Sequence, residues 1–194
     1  MKDFVRDDRL LSLCGLNCGL CSMHLGDYCP GCGGGAGNQS CAIAKCSMQR
    51  GVTYCFECES FPCATYDGID EFDSFITHRH QLKDLRKAQE IGIDAYQKGQ
   101  AEKVACLSFL LINYNDGRKK SFFCVAVNLL DLGEIKAVIE VLTQETAQRE
   151  LTLKEKAALA QRLFEEVASQ HGISLKLRKK PRKSNESKES KTEE

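Results

Sequence analysis

Ten cysteines fall between Cys14 and Cys63, and their spacing constrains this chain more than any other feature. They run Cys14-x3-Cys18-x2-Cys21, Cys29-Pro30-Gly31-Cys32-Gly33, Cys41-x4-Cys46, Cys55-Phe56-Glu57-Cys58 and Cys63. Two thiolates separated by two residues can reach one ion from a single tight turn, with backbone N–H groups pointing at the sulfurs. Gly33, directly after the second cysteine of its pair, permits the positive φ that such a turn often needs, so residues 29–33 read as a zinc knuckle.

Three C-x2-C pairs with further cysteines between them point to metal ligation and leave the metal open. Cys14, Cys18, Cys21, Cys29, Cys32, Cys41, Cys46, Cys55, Cys58 and Cys63 are all candidate ligands. They are more than two all-thiolate tetrahedral sites require, so two or more Zn2+ ions are expected. His24, three residues after Cys21, is a further candidate that reads more simply as a polar loop histidine. Spacing does not decide which cysteines share an ion. One partition joins Cys14, Cys18 and Cys21 to a later cysteine, and Cys29 and Cys32 to Cys55 and Cys58.

The same thiolates bind iron–sulfur clusters, so a [4Fe–4S] protein in electron transfer or redox chemistry is the alternative. The segment Cys14-x3-Cys18-x2-Cys21 resembles the cluster motif of radical S-adenosylmethionine enzymes, but their partial barrel needs repeating strand–helix units that this chain lacks. Apolar residues in the segment are few: Leu16, Leu20, Met23, Leu25, Ile43, Met48, Val52, Phe56 and Phe61. So thin a core does not offset the entropy of ordering the segment, and metal or packing elsewhere must make up the difference.

The N-terminus alternates charge without a signal-peptide core, and no run is long and apolar enough to cross a bilayer, so the expected compartment is the cytoplasm. A reducing compartment keeps thiols available for metal rather than pairing them as disulfides. Lys plus Arg and Asp plus Glu balance at 27 each, so bulk charge predicts neither a membrane nor a nucleic-acid partner. A zinc-knuckle nucleic-acid binder is a further alternative, opposed by the module's own basic residues, Lys45 and Arg50 alone between Cys14 and Cys63. No Ser/His/Asp arrangement, phosphate loop or carboxylate pair stands out, so catalysis is not expected and a protein partner is left open.

The chain divides into a Cys-rich metal-stabilised module over residues 1–66, a mainly α-helical bundle over 67–175 packed on it, and a disordered basic and polar tail over 176–194, with few or no strands. Phe72, Phe75 and Ile76 suggest a first helical face, and Leu82, Leu85 and Ile91 a second helix. Val104 to Ile112 is apolar almost throughout and reads as a buried helix, followed by the turn Asn115-Asp116-Gly117 and a helix with Ser121 at its cap. Phe122, Val125, Ala126 and Leu129 form one stripe. Ala160, Leu163, Phe164 and Val167 form another, with Thr152 and Glu155 as a capping box and Gly172 as the stop. Cys106 and Cys124 lie in apolar runs and read as small core residues.

The run Cys14-Gly15-Leu16-Asn17-Cys18-Gly19-Leu20-Cys21, with Cys29-Pro30-Gly31-Cys32 and Tyr54-Cys55-Phe56-Glu57-Cys58-Glu59-Ser60-Phe61-Pro62-Cys63, resembles the cysteine-rich prokaryotic family DUF3795. The resemblance covers roughly residues 12–66 closely and implies a metal-binding module of unassigned activity, with no catalytic residues to carry over.

Overall fold

A computed structural model describes residues 4–35 and 41–181. The end of the glycine run at Ala36 and Gly37, and the tail from residue 182, lie outside the described residues. The described residues form six α-helices in succession: α1 Ala42–Arg50, α2 Gln81–Ile91, α3 Ile93–Asn113, α4 Lys120–Leu129, α5 Leu132–Ala147 and α6 Leu153–Gln170. Among the described residues there is no strand, only an isolated antiparallel bridge between Val5 and Gly34. The expected class, a cysteine-rich module followed by a mainly helical part, is what the chain adopts.

The central helix is α3, which packs on α2, α4 and α5, while α6 packs on α5 and α4. Their shared core contains Leu107, Leu110, Phe123, Val127, Ile135, Leu142 and Phe164, with Phe123 and Phe164 edge to face at 6.1 Å. Cys124 is buried in this core and Cys106 packs against it, as their apolar runs predict. Thr152 caps α6, its hydroxyl accepting from the Glu155 N–H while the Glu155 carboxylate accepts from Thr152. No helix among the described residues is long and apolar enough to cross a membrane.

The structure differs from the periodicity reading at several places. Residues 67–80 hold no α-helix, because the buried Asp73 carboxylate accepts from the Thr77 hydroxyl and the backbone N–H groups of His78 and Arg178, an alternative to a helical ladder. Phe72 and Phe75 stay exposed. Val104 to Ile112 is helical but only half buried, with Ile112 77% exposed. Ser121 sits inside the first turn of α4, whose entry is made instead by the Asn115 side chain accepting from Gly117 and Lys119. The chain also stays docked past residue 176: the Asp73 N–H donates to the Arg178 carbonyl, the Arg178 N–H donates to the Asp73 carboxylate, and Arg79 donates to the Ser174 and Lys176 carbonyls.

Two apolar contacts help to seat the cysteine module on the helices. The short 3-10 turn Cys18–Leu20 packs on α3 and α4, burying Leu20 completely. Leu11 and Tyr54 pack with Ala88 of α2 and Tyr96 of α3. The module's own core is small, as its composition predicts: Phe4, Leu13, Cys14 and Ala44, with Leu16, Cys32, Ile43 and Cys55 around them. Cysteines thus occupy part of the interior that larger apolar side chains would otherwise fill.

Candidate metal centre

All twelve cysteines carry free thiols. Eight of the ten in the module fall into two adjoining groups that meet where Cys55 lies beside Cys14, and α1 carries Cys41 at its N-cap and Cys46 on its body.

The inner set comprises Cys14, Cys18, Cys32 and Cys41: a charge on Cys14 or Cys32 acts on each of the others, and Cys18 also feels Cys21. Gly33 has φ 82°, the conformation expected after a knuckle pair, and an added Cβ there would meet Arg6 at 2.7 Å. That turn lets the Cys32 N–H reach the Cys18 sulfur, while the Leu13 N–H reaches Cys32 and the Leu16 N–H reaches Cys14. The Ser12 hydroxyl lies 3.1 Å from the Cys14 sulfur. Burial pushes the Cys14 and Cys32 thiols up and carries Cys18 to about 12.

Arg6 stands against this set. Its guanidinium is buried, lies 4.7 Å from the centre of the Tyr54 ring and donates through Nη1 to the Leu11 carbonyl at 2.9 Å. Its Nε and Nη2 are buried without a hydrogen-bond partner among the described residues. Its positive charge opposes the effect of burial on Cys32. A buried cation with unused donors is expensive unless negative charge faces it, and thiolates holding a divalent ion carry such charge.

The outer set comprises Cys46, Cys55, Cys58 and Cys63, which line one hollow of about 270 Å3 with Ile43, Val52, Phe61 and Ala64. Arg50, in the last turn of α1, donates to the Cys58 sulfur at 3.6 Å and also hydrogen-bonds Cys46. The Tyr66 hydroxyl is shared between the Cys14 carbonyl at 3.4 Å and the Cys55 thiol, and Thr65 bonds Cys63 through backbone and side chain. Burial raises Cys55 to about 11, whereas the bonds from Thr65 lower the half-buried Cys63 thiol. No group of three or more His, Cys, Asp or Glu side chains among the described residues is arranged to hold one ion.

Cys18 lies near Cys14, Cys21 and the later Cys32, in keeping with one half of the partition drawn on spacing. The other half, Cys29 and Cys32 with Cys55 and Cys58, is not the grouping seen. Cys32 keeps company with Cys14 and Cys18, and Cys55 and Cys58 with Cys46 and Cys63. Cys21 lies near Cys18 and Cys124, at the seam with α4. The Cys29 carbonyl is 3.0 Å from His24 Nδ1, so that ring folds over the knuckle turn.

Asn17, inside the Cys14–Cys18 loop, ties the module to three helices. Its amide donates to Asp84 at 2.7 Å and to the Asn128 side chain at 3.4 Å, and its oxygen accepts from the Tyr96 hydroxyl at 3.0 Å. Nothing in composition marks Asn17, Arg6 or Tyr66; nearness to the cysteine motif is their one sequence signal. Asp84, His80 and Lys103 border an adjoining cleft of about 140 Å3. Burial raises the Asp84 carboxyl to about 6, against Lys103, Asn17 and Tyr96, and lowers His80 to about 4. The sign follows from linkage: a raised carboxyl contributes stability fully present below its unfolded value of about 3.9 and lost as pH rises through the folded value. Unfolding free energy should therefore lose roughly 2–3 kcal/mol between pH about 4 and 7 from this group. In the Asp84→Asn variant that portion of the fall should vanish, and parallel denaturant titrations of the two chains across this range check it.

Residues 10–68 match the family model described as protein of unknown function, DUF3795. No curated protein and no solved structure gives a significant match.

Proposed function

We propose, on the premise that residues 10–68 are a DUF3795 segment, that this segment is a metal-binding module in which bound metal completes the core and makes a rigid scaffold. One observation carries the reading: eight cysteines gather in two sets beside one short helix, each set with an arginine against it. Arg6 offsets the charge of the inner thiolates and Arg50 that of the outer ones. Backbone N–H groups aimed at Cys14, Cys18 and Cys32 support the thiolate form that a metal requires. Zinc suits the inner set, where four thiolates would close a structural site with no open position. Bound there, zinc supplies cross-linking between the Cys14–Cys18 loop, the knuckle turn and the start of α1. The role is therefore scaffold rather than catalyst, and the exposed outer face of the module is available to a protein partner.

The test is chelation of the full chain under reducing, anaerobic conditions, followed by amide hydrogen exchange. Residues 10–68 should lose protection when metal is removed and regain it when zinc is restored, while α3 to α6 keep theirs. Equal protection with and without metal would overturn the scaffold reading.

A further inference from the structure

The hollow beside α1 has more room than one ion fills. We propose that Cys46, Cys55, Cys58 and Cys63 hold a [4Fe–4S] cluster, an assignment that rests on metal binding by the module and goes beyond it.

Four thiols line a single hollow of about 270 Å3. That is room for several water-sized occupants, more than a single ion takes up. A lone zinc draws its thiolate sulfurs to about 2.3 Å and leaves no such space between them. A cubane cluster fills it with iron and sulfide, and each thiolate ligates a different iron, so the ligands surround a body instead of converging on a point. The supply of ligands suits that arrangement: Cys46 comes from the body of α1, Cys55 from a 3-10 turn, and Cys58 and Cys63 from the loop after it.

The walls match the same occupant. Ile43, Val52, Phe61 and Ala64 give an apolar lining, which limits solvent around a cluster and helps set its potential. Arg50 places a positive charge against Cys46 and Cys58, opposite an assembly made negative by four thiolates. The hydroxyls of Tyr66 and Thr65 bond Cys55 and Cys63, the kind of sulfur hydrogen bond that tunes reduction potential. Cys14 and Cys32 are packed among Phe4, Leu13 and Ala44, and Cys55 reaches the edge of that same core while lining the hollow.

Loading needs no oxidant if the cluster is supplied preformed. A synthetic [4Fe–4S] cluster carrying small alkanethiolate ligands exchanges them for cysteines. Each cysteine forms an Fe–S bond as one Fe–S bond to an alkanethiolate breaks, and the departing thiolate takes the cysteine proton. Iron oxidation states do not change.

The experiment adds that synthetic cluster anaerobically to the zinc-loaded full chain and then removes small molecules. The expected result is one retained cluster, read as iron, acid-labile sulfide and visible absorbance, with the zinc of the inner set unchanged. Cys58→Ser should retain at least tenfold less iron. Arg50→Gln, on an exposed side chain, should keep the iron and shift the reduction potential to more negative values, because a positive charge that favours the reduced cluster is gone. Zinc held through Cys18 with no iron retained, or a second zinc that disappears in Cys58→Ser, would overturn the cluster assignment and leave the module reading intact. A folded chain that holds no metal of any kind would overturn both.

Discussion

In Cys18→Ser, the inner metal is expected to be lost and residues 10–68 to unfold while the helical part remains folded. The Cys18 sulfur accepts the Cys32 N–H and lies beside Cys14 and Cys32, so it joins the two loops that the metal must hold together. A serine hydroxyl accepts the same hydrogen bond and does not ionise to ligate zinc under ordinary conditions. A structural zinc site contributes an apparent ~10–16 kcal/mol, against a total stability of about 5–15 kcal/mol for an ordinary domain. The remaining apolar contacts, Phe4, Leu13 and Ala44 around Cys14, are too few to replace it. Metal analysis with residue-resolved hydrogen exchange checks this. Cys106→Ser, outside the module at the edge of the helical core, should leave metal content unchanged. Retention of inner metal and of full protection in Cys18→Ser would show that Cys18 is a packed thiol and not a ligand.

The second large effect is expected at Gly15. Its φ is 97°, and a Cβ there would stand 2.2 Å from the Gln81 carbonyl oxygen and 2.8 Å from Leu85 Cγ. The carbonyl is backbone at the start of α2, so the clash cannot be relieved by turning a side chain. Gly15→Ala should therefore lift the Cys14–Cys18 loop off α2. The left-handed backbone costs about 1–2 kcal/mol and overpacking typically a further ~1–3 kcal/mol. The loss should be cooperative, because Asn17 in the same loop donates to Asp84 on α2 and accepts from Tyr96 on α3. Thermal unfolding of the metal-loaded chain measures it. A change below about 1 kcal/mol would mean that the module is held by its metal and not by this seam.

How much of this was legible depended on the range over which each signal acts. Thr152 and Glu155 are three residues apart, and their capping box is present as expected. The same device at Asp131 and Glu134, with Ile135, Val138, Ile139 and Leu142 at helical spacing behind it, marks α5, which the periodicity reading passed over. Phe72, Phe75 and Ile76 have helical spacing but answer to Asp73, whose partner Arg178 lies 105 residues away. Local pattern carries no trace of such a partner. The cysteine module was visible from its count and spacing, and the positive φ at Gly33 was visible from the knuckle chemistry. The two sets were not. Cys32 lies beside Cys14 and Cys18 across a loop of more than ten residues, and Cys46 of α1 lines one hollow with Cys63, neither of which follows from spacing along the chain. Arg6 and Arg50 belong to the same class of tertiary fact: each reads as an ordinary charged residue until it stands against thiols.

X-ray absorption at the metal edge of the full chain, isolated anaerobically, tests the central claim most directly. Thiolate ligation by the module predicts a first shell of sulfur alone at about 2.3 Å, for zinc in the inner set and for iron in the outer. In Cys18→Ser the zinc signal should disappear. A first shell of nitrogen and oxygen, or a folded chain with no metal edge at all, would contradict the account.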